Sequence, residues 1–292
     1  KRVLKTPSLP PQLAPDALDA LPEAPGVYLF YGLNALPLYI GKSTNLRERV
    51  GAHFSSDYRS ATDLRLSAEL QRIEFEETAG EIGALLREAA LVKSMLPAYN
   101  HALRRKAESG VLELPVAPGP PGYVPAASVE PGELAGRFGP FSSKRQAREM
   151  LRSLATEHAL CWKSLGLERR LGPCFARQVK RCAGACVGAE SADAHHERLG
   201  RALAPHAIPR WPYAGLAAIR ERSLLGDRID LHVVRDWCWL GTARDDGELG
   251  RLIEAPPRPA FDADIARLLI RTFAKGKHEV LSLAGASPIQ DY

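Results

Sequence analysis

Two tyrosines, a lysine, an arginine, a histidine and a glutamate fall within the first hundred of 292 residues at spacings that allow them to meet. Tyr28 ends the segment Gly26-Val27-Tyr28 and Tyr39 opens Tyr39-Ile40-Gly41. If these segments are adjacent antiparallel strands, side-chain alternation lets both phenols point to one face. Lys42 follows at once, and Arg49 and His53, four residues apart, share one face of a helix. With Glu88 these are the parts of a phosphodiester-cleaving site. A carboxylate can hold a divalent cation, cationic groups can offset charge growing on a pentacovalent phosphorane, and a phenol or imidazole can take a proton from water. Taken singly, each residue also has a plain structural reading: two tyrosines in a small core, Lys42 and Arg49 in solvent, Glu88 paired with one of them.

A second constellation lies further on. Cys161, Cys174, Cys182 and Cys186 are separated by 13, 8 and 4 residues, and four thiolates can close a tetrahedral zinc site or hold a [4Fe–4S] cluster. The spacing leaves both open. In a reducing compartment such a group reads as a metal site rather than as disulfides. Cys238, between Trp237 and Trp239, reads as a buried structural thiol. Basic residues recur at Arg104, Arg105 and Lys106, at Lys144, Arg145 and Arg148, and at Arg177, Lys180 and Arg181. One such run is an ordinary solvated face, but runs flanking a nuclease site form a phosphate track that supplies affinity without reading sequence.

The elements that must position these groups are legible in outline. Gly26 to Tyr31 and Leu38 to Ile40 read as strands joined by a turn at Gly32 to Leu36. A helix follows Thr44-Asn45, with Leu46, Val50 and Phe54 as its apolar stripe, and a third strand is expected at Ile73 to Glu77. Thr78-Ala79-Gly80-Glu81 has the form of a capping box and opens a helix to about Leu96 with the stripe Ile82, Leu85, Ala89, Val92 and Leu96. Glu88 lies at the flank of that stripe. Ser143 to Glu157 reads as helix and Ile229 to Leu240 as strand. Two helical segments around Pro256, Pro257 and Pro259 precede a last strand at Glu279 to Leu283.

The length suggests roughly two compact units. With 45% apolar and 25% charged residues, a disordered tail or a coiled coil is excluded. The net charge of +5 permits a nucleic-acid partner. No apolar run approaches a membrane span, and the start at Lys1 shows no secretory stretch, so a cytoplasmic protein is expected.

Read as a set, Gly26-Val27-Tyr28, Tyr39-Ile40-Gly41-Lys42, Asn45-Leu46-Arg47-x-Arg49-Val50, Glu88 and Asn100 resemble a GIY-YIG nuclease domain. Leu21-Pro22-x-x-Pro25-Gly26-Val27-Tyr28 and Leu38 to Arg47 are similar to the N-terminal half of UvrC repair endonucleases. Thr78 to Leu86, Lys180-Arg181-Cys182-Ala183-Gly184-Ala185-Cys186, Asp236 to Gly241 and Phe261-Asp262-x-Asp264 are closer to the shorter, Cho-type branch. The resemblance implies that Glu88 binds a single Mg²⁺ or Mn²⁺, that Tyr28 or Tyr39 helps activate water, that Arg49 and Lys42 steady the phosphate, and that Asn100 organises the site. His53 takes a place where related nucleases often carry tyrosine, so the stronger base stays open. The resemblance also favours [4Fe–4S] over zinc at the four cysteines.

The expected fold is α+β: a GIY-YIG domain at 1–106, with a small antiparallel sheet flanked by helices; a Pro/Gly-rich connection at 107–136; a helix and Cys-rich cluster-binding region at 137–200; and a C-terminal α+β region at 201–292, open to DNA or partner docking. By resemblance, the partners are damaged double-stranded DNA, UvrB, and UvrA for loading, with no membrane, and the cut falls 3′ of a lesion; the alternatives are a GIY-YIG endonuclease of another DNA-processing pathway or a DNA-binding protein with a vestigial nuclease site. The 106 residues after Cys186 are too few for a second nuclease domain with helix-hairpin-helix motifs, so one incision is expected. Asp227, Asp230, Asp236, Asp262 and Asp264 read as surface acids.

Overall fold

The computed structural model describes residues 9–54, 61–100 and 109–283. Three antiparallel sheets organise an α+β chain. The first pairs β1 (Gly26–Tyr31) between β2 (Pro37–Ser43) and β3 (Arg72–Glu77), with Tyr28 opposite Gly41 and Phe30 opposite Tyr39. Alternation along β1 gives the sheet two apolar faces. Tyr28 and Phe30 pack on Leu46, Val50 and Phe54 of and beside α1 (Leu46–His53) and on Leu66 of α2 (Ala61–Glu69). Val27, Leu29, Tyr31 and Ile40 pack on Leu91 and Val92 of α3 (Glu81–Met95).

The glycines of the two motifs are close-approach residues. A Cβ on Gly41 would lie 2.4 Å from the Tyr28 hydroxyl, and one on Gly26 would lie 2.2 Å from the Glu76 carbonyl oxygen. Only glycine admits these neighbours.

Inside the Pro/Gly-rich stretch, β4 (Gly110–Glu113) and β5 (Gly122–Pro125) pair with each other, and β4 also pairs with β6 (Arg137–Phe141), giving a second sheet in the order β5-β4-β6. On this sheet packs α4 (Lys144–Glu157), capped by Ser143, whose hydroxyl accepts the Gln146 amide at 3.2 Å. The short α5 (Phe175–Gln178) lies among the cysteines, and α6 (Ala192–Leu203), which the sequence reading did not anticipate, completes that core with Leu199 and Leu203.

The third sheet orders β7 (Ala217–Arg222), β8 (Ile229–Arg235), β9 (Cys238–Ala243) and β10 (Glu279–Ser282) as β10-β7-β8-β9. The single strand expected over Ile229 to Leu240 is a hairpin. Asp236 and Trp237 both take positive φ, 51° and 60°, the left-handed pair that a two-residue turn requires. Two helices, α7 (Asp246–Glu254) and α8 (Ala263–Lys275), flank the proline cluster.

The surface-acid reading fails at two positions. Asp262 is 6% exposed and caps α8, accepting from the Asp264 and Ile265 amides, and Asp230 is 1% exposed. Cys238 is a buried thiol, pushed up to about 12 by burial. Among the described residues, no helix is long and apolar enough to cross a membrane.

Helix α3 joins the first and third sheets. Its N-terminus departs from the expected capping box: the N-cap is Gly80, without a side chain, and Thr78 Oγ1 donates to the Gly80 carbonyl oxygen at 2.8 Å. The apolar pattern departs as well. Ile82, Gly83, Ala84, Leu86, Leu91 and Val92 are buried, Leu85 and Ala89 are half-buried, and Leu96, the left-handed C-cap, is 61% exposed. The helix has two buried faces because it is covered twice. Leu91 and Val92 meet the first sheet, whereas Ile82, Leu86 and Ala89 join the core around Ile219, Val234, Trp237 and Leu269 of the C-terminal part.

Candidate active site and cysteine site

Strands β1 and β2 bring the two tyrosines side by side, with ring centroids 6.0 Å apart, and α1 lays His53 across both rings at 5.6 and 5.8 Å. The helix starts where it does because Asn45 accepts the Glu48 amide at 3.0 Å, which fixes the phase that points Val50 inward and His53 over the sheet. The Tyr28 hydroxyl and His53 Nε2 share a hydrogen bond of 2.8 Å. Arg49, one turn earlier, lies beside both phenols, near enough for its charge to act on Tyr28 and Tyr39. Burial, then the neighbouring Tyr39, drives the Tyr28 phenol far above its ordinary range, and the Arg49 charge offsets only part of this. At 0% exposed, Tyr28 is closed to solvent, whereas Tyr39 and His53 are half-exposed.

Lys42 pairs with Glu81 at 3.1 Å. Glu81 and Glu88 are seven residues apart and so share a face of α3, the face that looks toward the edge strand β2. Glu88 is half-buried there. Asn100 is buried and clamps Ile40 in both directions, its Oδ1 accepting the Ile40 amide at 2.9 Å and its Nδ2 donating to the Ile40 carbonyl oxygen at 2.8 Å. It therefore fixes the strand that carries Tyr39 and Lys42 and directs its amide at backbone.

The cysteine group is assembled from a loop and two short turns. The sulfurs of Cys161, Cys174 and Cys186 lie within 4.8 Å of one another, and Cys161 Sγ is 3.9 Å from Cys174 Sγ. Cys182 falls outside that group of three, although it is buried beside Cys161 and Cys174, with its sulfur accepting the Gly184 amide at 3.3 Å. Burial disfavours the Cys161 thiolate, but hydrogen bonds from the backbone and hydroxyl of Ser164 and from Cys186 bring that thiol down to about 7. His195 on α6 holds the loop by accepting the Cys161 amide at 3.0 Å; burial lowers its pKa, which keeps the ring neutral for that task. Arg198 ties the same loop to Glu190 through the His158 carbonyl oxygen. Neither His195 nor Arg198 carries a recognisable signal in the sequence.

Of the basic residues, Lys144, Arg145, Arg177, Lys180 and Arg181 are exposed. Arg145 pairs with Glu149, and Arg177 donates to the Cys182 carbonyl oxygen. Arg104, Arg105 and Lys106 lie outside the described residues. The sequence also gave no warning of a buried polar group that meets α3: Glu221, Asp230 and His232.

Family models match residues 24–101 as a UvrC-like GIY-YIG domain, 125–205 as a UvrC/Cho excinuclease middle domain and 216–287 as an excinuclease Cho C-terminal domain. Fold, tyrosine cluster and these matches define the chain as a GIY-YIG endonuclease of the UvrC kind. Excinuclease Cho of Escherichia coli O6:H1 is 38% identical over 277 residues, covering 94% of this chain and 90% of its own length. That of Salmonella typhi is 36% identical over 269 residues, covering 91% and 88%. The magnesium-bound GIY-YIG domain of UvrC from Thermotoga maritima is 30% identical, with a TM-score of 0.27, over 29% of this chain and 92% of that one. The chain belongs to the excinuclease Cho family.

Proposed function

We propose that this protein hydrolyses one DNA phosphodiester on the 3′ side of a lesion, in damaged duplex that UvrA has loaded with UvrB. The observation that carries the reading is the convergence of Tyr28, Tyr39, Arg49 and His53 on one face of a three-stranded sheet, in a chain of the excinuclease Cho family. In the reaction, Arg49 offsets charge on the phosphorane oxygens and Lys42 draws in the phosphate. The half-exposed His53 imidazole accepts the proton of the attacking water, the Tyr39 hydroxyl orients that water, and the leaving oxygen takes its proton from solvent. Tyr28, sealed from solvent, holds His53 and Arg49 in place. Glu88, a half-buried oxygen ligand, suits a hard divalent ion such as Mg²⁺ or Mn²⁺, which would supply Lewis-acid stabilisation of the phosphate.

A single cut is supported by the fate of the other carboxylates. Glu221 and Asp230 stand opposite each other on β7 and β8, but both are taken up by backbone amides of α3 and by His232 and Arg228, and Asp262 caps α8. The test is a lesion-bearing duplex labelled at each end in turn, incubated with the purified protein, Mg²⁺, UvrA and UvrB. A product 3′ of the damage and none 5′ of it is expected, and a second cut on the 5′ side overturns the reading. The exposed groups Lys144, Arg145, Arg177, Lys180 and Arg181, with Arg104, Arg105 and Lys106, form the proposed phosphate track.

We further propose that Cys161, Cys174, Cys182 and Cys186 hold a [4Fe–4S] cluster, as the family resemblance implies. One sulfur pair has the spacing of the alternative, zinc, although Cys182 falls outside the group of three whose sulfurs lie within 4.8 Å of one another. Four sulfurs at about 2.3 Å from one ion stand about 3.8 Å apart, close to the 3.9 Å between Cys161 and Cys174, whereas an iron–sulfur cube spreads its thiolates more widely. Protein purified without oxygen is expected to be brown, with iron and sulfide near four each per chain and the colour lost in Cys182→Ala. One zinc per chain without visible absorbance assigns the site to zinc.

A further inference from the structure

We infer that Glu221, carried by the third sheet, serves as the N-cap of α3, so that docking of the C-terminal part sets the position of the helix that presents Glu88. The inference rests on the reading of Glu88 as the metal ligand.

The first turn of a helix leaves backbone N–H groups without intrahelical partners, and an N-cap side chain ordinarily accepts from the second or third residue of the helix. Gly80 has no side chain to offer, Thr78 is turned to a carbonyl and Glu81 pairs with Lys42. In their place Glu221 Oε1 accepts the Ile82 amide and Oε2 the Gly83 amide, both at 2.8 Å, which are the two positions a cap serves. Asp230 accepts the Ala79 amide at 2.8 Å. These acceptors lie 138 to 151 residues away along the chain. A negative charge there also complements the helix dipole.

Glycine at position 80 is what admits the carboxylate. A Cβ there would lie 2.4 Å from Glu221 Oε1, although the backbone, at φ −166°, is extended and suits any residue. Glu221 is itself fixed. It is 5% exposed and bonded to His232 Nε2 at 3.0 Å, and His232 Nδ1 meets Thr242 Oγ1 at 2.9 Å. Burial raises the Glu221 carboxyl, but the bonds from His232, Gly83 and Ile82 outweigh it and hold the group below its usual range, hence ionised. At the other end of α3, Lys93 pairs with the buried Asp262. The helix is gripped at both ends by the C-terminal part, and Glu88 sits between the grips.

The experiment uses the full chain as Glu221→Gln, Glu221→Ala and the double variant Gly80→Asp/Glu221→Ala. It measures the Mg²⁺ dependence of incision, turnover at saturating DNA, the KM for DNA, thermal melting, and hydrogen exchange at the Ile82 and Gly83 amides. Glu221→Gln is expected to raise the Mg²⁺ midpoint several-fold and lower turnover by about tenfold or more, as a displacement of under 1 Å at a reacting centre does, with KM unchanged. Gly80→Asp in the Glu221→Ala background should restore both, because the carboxylate then comes from the helix's own cap and occupies the vacated space. Gly80→Asp alone should cut worse than wild type. A wild-type midpoint and turnover in Glu221→Gln, or a double variant that regains melting temperature without regaining the Mg²⁺ midpoint, overturns the inference. If instead Glu88→Ala cuts normally while Ile82 and Gly83 still lose protection in Glu221→Gln, the metal-ligand reading has failed and the cap has not.

Discussion

Glu88→Ala lowers incision by about a thousandfold or more, the loss expected when the ligand of a charge-stabilising ion is removed, worth several kcal/mol. Melting temperature and DNA affinity stay near wild type. Both halves of that expectation follow from where the residue sits. Glu88 is half-buried on α3, so truncation leaves the two packed faces of the helix untouched, Leu91 and Val92 against the first sheet and Ile82 and Leu86 against the C-terminal core. It lies on the face shared with Glu81, which already points at Lys42 on the edge strand. Single-turnover incision at saturating Mg²⁺, with DNA binding followed in parallel, checks the prediction, and metal-dependent cutting at near wild-type rate would show that the site has been misassigned.

Arg49→Ala loses about a hundredfold in turnover, the effect of removing one preorganised group aimed at developing charge, with a smaller change in KM. Arg49 brings a permanent positive charge beside both phenols of the tyrosine cluster. Its loss withdraws charge from the phosphorane and also removes a neighbour of Tyr39. Arg49→Lys separates these effects. A lysine keeps the charge and loses the planar fork that reaches two oxygens at once, so partial recovery of turnover is expected. Equal activity of the lysine and alanine variants would mean that positioning of Tyr39, rather than charge, is what Arg49 supplies.

The strands that carry the tyrosines, and the helix that carries Arg49 and His53, were readable from the sequence because their information is local. Alternation over Gly26 to Tyr31 fixes which side chains share a face, and Leu46, Val50 and Phe54 recur at the helical period behind an Asn45 cap. That Gly26 and Gly41 must be glycine became clear only in the structure, where the Glu76 carbonyl oxygen and the Tyr28 ring crowd them. Of the four cysteines read as a set, the sulfurs of Cys161, Cys174 and Cys186 meet within 4.8 Å, and the place of Cys182 beside them is not given by its type.

What the sequence could not specify is the start of α3. Thr78-Ala79-Gly80-Glu81 satisfies the local rule for a capping box, yet Thr78 turns to a carbonyl and Glu81 to Lys42, and the helix is capped by Glu221 from 139 residues away. Local patterns record only what neighbours along the chain can exchange. An acceptor on another sheet, once buried beside the helix and tied to His232, displaces the local cap because it satisfies two buried amides where water cannot reach. The same holds for Asp230 and Asp262, surface acids by composition, which the packing of the C-terminal part against α3 encloses and partners with backbone amides, Arg228 and Lys93. The residue types of the nuclease site are thus written in short segments of the chain, while the placement of the helix bearing Glu88 is decided by tertiary contact, because burial assigns hydrogen-bond partners without regard to sequence distance.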